Sequence, residues 1–167
     1  MELWRLTKQG VGVLMLLGSF FLMTPTEALP QPGPFERMSG TWSGSGKVVF
    51  SDGHDEPIRC RLGNDVNGAG SLLELHLRCA SAGYNFEVQS TVATHQGAVS
   101  GNWNETSRNI RGKLLGVWEK DRVLAHVEGG AFEGDVTLTV TGSSLLFTLA
   151  PVATEVREVV IILQRTT

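Results

Sequence analysis

His54 lies in Ser51-Asp52-Gly53-His54-Asp55-Glu56, where carboxylates, a hydroxyl and an imidazole could hold a divalent cation at a turn. The cluster has neither calcium-loop spacing nor the paired-histidine spacing of a zinc site. A solvated hairpin turn accounts for it, and no metal site or cofactor is expected. His76, His95 and His126 are scattered over separate segments, without a neighbouring Cys, His or carboxylate at ligand or triad spacing. No Gly-x-Ser-x-Gly elbow, phosphate loop or His-Glu-x-x-His is present. Glu87, Glu105, Asp121 and Glu133 could act together as a carboxylate pair only if the fold united them. The reading is therefore of a protein that is not an enzyme.

Cys60 and Cys79 are the only cysteines. Their setting follows from the amino terminus. Arg5 and Lys8 precede an uncharged apolar run from Val11 to Met23, and Thr26 and Ala28 place small residues at a cleavage position. That order is a secretory signal peptide over residues 1–28. The run is shorter than the roughly 20 apolar residues that span a bilayer, so no stable membrane insertion is expected after processing. The mature protein is expected to be periplasmic or secreted. In an oxidising compartment an even cysteine pair reads as a disulfide.

Removing 28 of the 167 residues leaves 139, enough for one domain with one core. The net charge of −3 offers no general attraction for nucleic acid. Arg59, Arg61 and Arg78 would share one outer strand face, but no aromatic residues are interleaved with them for stacking single-stranded bases. The sequence sets no oligomeric state.

Residues 29–35, with Pro30, Pro32 and Pro34, read as an extended leader, and residues 36–167 as the folded domain. Short β-rich runs alternate there with Gly, Asn, Asp and Ser clusters, and no 3.6-residue apolar period is sustained. Leu73, Leu75, Leu77 and Cys79 alternate with Glu74, His76 and Arg78. Ile58, Cys60 and Leu62 alternate with Arg59 and Arg61, and Asn67-Gly68-Ala69-Gly70 supplies the turn between the two runs. If Cys60 faces Cys79, Leu62 faces Leu77 and Val66 faces Leu73, at the cost of opposing Arg61 to Arg78 and Asp65 to Glu74. Further strands put Tyr84, Phe86, Val88 and Val92 on one face, and Phe132, Val136, Leu138 and Val140 on another. The run Val159–Leu163 is apolar on both faces and is expected to be central or covered. Ser39-Gly40-Thr41-Trp42 recurs weakly as Ser100-Gly101-Asn102-Trp103.

The opening Gly40-Thr41-Trp42 resembles the Gly-x-Trp start of calycin barrels such as lipocalins and avidins. That resemblance implies that Trp42 closes one end of a barrel against a basic residue of the last strand, which Arg165 is placed to supply. Together with Glu56–Arg61, Leu77–Ser81 and Val99–Asn109, the opening is also similar to a group of small exported β-rich proteins of alphaproteobacteria, from which no catalytic residue carries over.

The expected fold is all-β, a single antiparallel up-and-down barrel of about eight to ten strands, with a β-sandwich as the alternative. A barrel of this size is either filled by side chains or holds one small ligand. The expected function is non-catalytic binding of a small apolar ligand, with Tyr84, Phe86, Trp103 and Phe132 as lining residues. The alternative is an interaction or envelope protein with a packed core, acting through its surface or through an open edge at Gly40–Gly46.

Overall fold

The computed structural model describes residues 33–166. The expected signal peptide and residues 29–32 of the expected leader lie outside them. A short 3-10 turn, η1 (Glu36–Met38), precedes ten strands: β1 (Gly40–Phe50), β2 (Asp55–Val66), β3 (Leu72–Ala80), β4 (Asn85–His95), β5 (Ala98–Glu105), β6 (Ile110–Glu119), β7 (Arg122–Gly129), β8 (Phe132–Thr141), β9 (Ser144–Pro151) and β10 (Val156–Thr166). Connections of two to five residues pair each strand antiparallel with its sequence neighbours. The sheet then closes on itself, because β1 pairs with β10 as well as with β2. The result is a closed antiparallel up-and-down barrel and not a sandwich.

Closure removes the open edge expected at Gly40–Gly46, since every residue from Thr41 to Val49 has partners on both sides. Glycine serves a different purpose in this strand. A Cβ on Gly46 would lie 2.0 Å from the Val160 carbonyl oxygen, and one on Gly44 equally close to that of Ile162. These two inward-facing positions let β1 press against β10 at the seam. A bulge between Val49 and Phe50 leaves Arg157 unpaired, so Val156 and Val159 can both face inward.

The hairpin register holds throughout. Cys60 pairs with Cys79, Leu62 with Leu77 and Val66 with Leu73, and Arg61 does stand opposite Arg78. The two sulfurs are bonded, with Cα atoms 4.1 Å apart. Because the pair belongs to the inner face, the bond lies in the core, and no cysteine remains free.

The last strand is central, paired with β1 on one side and β9 on the other. Ile161 and Leu163 are fully buried, but Ile162 is 54% exposed beside the partly exposed Leu146. The run Val159–Leu163 is covered on one face only, because a barrel has an inside and no second layer outside.

The interior is filled unevenly. At the end where β1 starts, Phe35, Met38 and Trp42 are completely buried, joined by Leu145, Leu163 and Val140. Phe35 packs edge-on to Trp118, with centroids 5.7 Å apart, and its N–H donates to the Gly70 carbonyl. The Met38 carbonyl accepts from both Trp42 Nε1 and Asn64 Nδ2, each at 2.9 Å. Burying each large side chain contributes about 1.5–3 kcal/mol, so this end is a plug. The opposite end is built from the β1–β2, β3–β4, β5–β6, β7–β8 and β9–β10 connections.

Candidate functional site

Inward-facing residues toward that opposite end do not meet in the middle. They enclose a cavity of about 410 Å³. Leu73, Leu75 and Leu77 of β3, Val88 and Val92 of β4, and Leu138 of β8 form much of its wall. Strand alternation turns each of them inward.

Tyr84, Phe86, Trp103 and Phe132 all line the cavity. Phe86, Trp103 and Phe132 project from β4, β5 and β8, whereas Tyr84 sits in the β3–β4 connection, just before its expected strand begins. Trp103 meets Phe132 nearly edge-on at 5.6 Å, and Tyr84 lies 6.5 Å from Phe86. The Trp103 indole donates to the Lys113 carbonyl at 3.1 Å. It lies over Gly112, where a Cβ would come within 2.6 Å of the ring. The ring is thereby fixed along the wall, leaving the lumen free.

The weak repeat does not give the two tryptophans equivalent places. Trp42, near the start of β1, is buried in the plug. Trp103, near the end of β5, reaches the cavity.

The lining turns polar at the rim, through Glu56, Glu105, Arg108 and Thr154. Glu105 follows Val99 and Trp103 on the inner face and is only 8% exposed. Its carboxylate accepts the backbone N–H groups of Glu87 at 3.2 Å, Ser107 at 3.1 Å and Arg108 at 2.7 Å. Burial by itself would raise its pKa, but the Glu87 amide and the Ser107 and Arg108 donors together outweigh it and hold the group below the ordinary glutamate value. Glu105 thus ties down the β5–β6 connection. Arg108, in that connection, places its guanidinium carbon 4.4 Å from the Tyr84 ring centroid. Glu56 accepts the Ser81 hydroxyl.

Glu105 and Arg108 were not among the expected lining residues. The signal for Glu105 was available, since its parity with Trp103 in one strand is a local property. The position of Arg108 depends on a connection whose course sequence alternation does not describe.

The four acids considered as a carboxylate pair are dispersed. Glu87 points outward, 2.6 Å from His76 and 3.3 Å from Arg78, and the His76 bond holds its pKa low. Asp121 lies in the β6–β7 turn at the plugged end, and Glu133 pairs with His126 outside. Among the described residues no group of three or more His, Cys, Asp or Glu is arranged to hold a metal ion. His54 bonds Asp52 at 2.7 Å and stacks on Phe50. Arg59, Arg61 and Arg78 border a shallow outer concavity with Ser43 and Asn85. At the plugged end, the Arg165 guanidinium lies over Trp42 and donates to the Ser39 and Arg37 carbonyls.

The barrel is shared with a solved protein. It is similar to the crystal structure of Rv2717c from M. tuberculosis, with a TM-score of 0.63 over 79% of this chain and 94% of that one. At 14% sequence identity the likeness shows the fold alone. No family model and no curated protein matches this chain.

Proposed function

We propose that this protein is an exported, non-catalytic binding protein that holds one small apolar ligand inside its barrel. The observation that carries the reading is the apolar cavity of about 410 Å³, walled by ten strands and plugged at one end. Ligand sites of this kind typically measure about 300–1,000 Å³ and present apolar walls with a few polar groups. An interaction protein with a fully packed core accounts less well for this empty half. The Cys60–Cys79 bond is consistent with an oxidising compartment, which supports a periplasmic or secreted location.

The test is calorimetric titration with decanol, an apolar chain of suitable size. The wild-type protein is expected to bind it with one-to-one stoichiometry. Val136→Trp, which places an indole in the cavity, is expected to weaken binding at least tenfold while retaining cooperative unfolding. Ile162→Ser, on the outer face, is expected to leave binding unchanged. Absence of decanol binding by the wild type, or equal binding by Val136→Trp, would refute the reading.

A further inference from the structure

Resting on the cavity reading, we propose that the ligand is an amphiphile whose single anionic headgroup is held at the rim by Arg108. A guanidinium carries five donors in a planar fork. In Arg108, Nη1 reaches the Asn85 carbonyl at 3.5 Å and Glu105 Oε1 at 3.6 Å, both long for a charged donor. Nε and Nη2 make no hydrogen bond among the described residues.

Glu105 stands 3.6 Å from this cation as an ion pair beyond hydrogen-bond length, and its oxygens also accept three backbone N–H groups. Those same bonds fix the connection that carries Arg108. A rigid mount therefore presents an under-coordinated fork, with its side chain 39% exposed, at the mouth of an apolar chamber. A carboxylate there would gain two parallel charge-assisted bonds while its alkyl chain entered the cavity. Tyr84, 47% exposed, lies with its ring against the guanidinium.

The competing rim charges are Glu56 and Glu105, which would select a cationic headgroup. Glu105 is engaged by three backbone N–H groups, and Glu56 accepts the Ser81 hydroxyl and thereby holds the β3–β4 connection. Arg108 has no comparable short contact, which favours the anion.

Decanoate, decanol and decylamine share one chain length and differ in head charge, so titrating all three separates the headgroup from the cavity. Decanoate is expected to bind wild-type protein roughly tenfold or more tighter than decanol, the discrimination of about one good charge-assisted contact, and the difference is expected to shrink with added salt. Arg108→Leu is expected to abolish that preference, decanoate then binding no tighter than decanol, while the variant retains cooperative unfolding. Equal binding of decanoate and decanol, a preference that survives Arg108→Leu, or tightest binding by decylamine would overturn the headgroup assignment and leave the cavity reading standing. Failure of all three to bind would remove both.

Discussion

The Arg165 guanidinium carbon lies 4.1 Å from the centroid of the Trp42 ring, joining the last strand to the first at the plugged end. The same side chain donates to the carbonyls of Ser39 and Arg37, so it also holds the segment that covers this end. Arg165→Ala is expected to lower stability by about 1–2 kcal/mol, through the lost cation–π contact and charged donors. Arg165→Lys, which retains charge but not two-point donation, should lose less. Trp42→Ala, which opens the plug, is expected to cost about 3–5 kcal/mol. Urea unfolding followed by far-UV circular dichroism measures all three, and an unchanged midpoint in Arg165→Ala would show that the seam closes without it.

The Cys60–Cys79 bond closes a loop of sequence separation 19 in a hairpin whose register is already set by side-chain alternation. Its main effect is to restrict the unfolded chain, by about 3 kcal/mol for a loop of this length. Cys60→Ala with Cys79→Ala is expected to fold into the same barrel with a stability lower by about that amount, and to bind decanol as wild type does. A thiol assay on the purified protein should find no reactive cysteine; two free thiols would contradict the bond.

Glu105 makes stability depend on pH in a defined direction. Its folded-state pKa lies below the ordinary glutamate value, so its contribution is fully present above that value. That contribution is lost as pH falls through the lower, folded-state value. Glu105→Gln is therefore expected to be less stable than wild type at neutral pH, with the gap closing in acid. Urea midpoints measured from pH 7 down to about pH 2.5, below the model-peptide carboxyl value near 4.3, read this directly. A gap that stays constant across the range would mean that the carboxylate charge contributes nothing.

Much of this architecture is a local property of the chain. Alternation with a period of two is fixed by strand geometry, so the inner face of β3, the partnership of Cys60 with Cys79 and the opposition of Arg61 to Arg78 were legible from residue types and spacing. Phe86 and Phe132, which reach the cavity, were legible for the same reason, since each shares a face with apolar neighbours along one strand.

What tertiary structure decided is whatever depends on closure. Whether Gly40–Gly46 is an edge or a seam rests on contact with Val160 and Ile162, more than a hundred residues away. The exposure of Ile162 follows from the absence of an outer layer, which an apolar run cannot reveal. Trp42 and Trp103 sit in similar local sequence, yet one is buried in a plug and the other faces open space. The cavity itself depends on barrel diameter, set by strand number and tilt together, and so on the inner faces of all ten strands at once. Sequence determined which side chains face inward; only the closed ring determined that they do not meet.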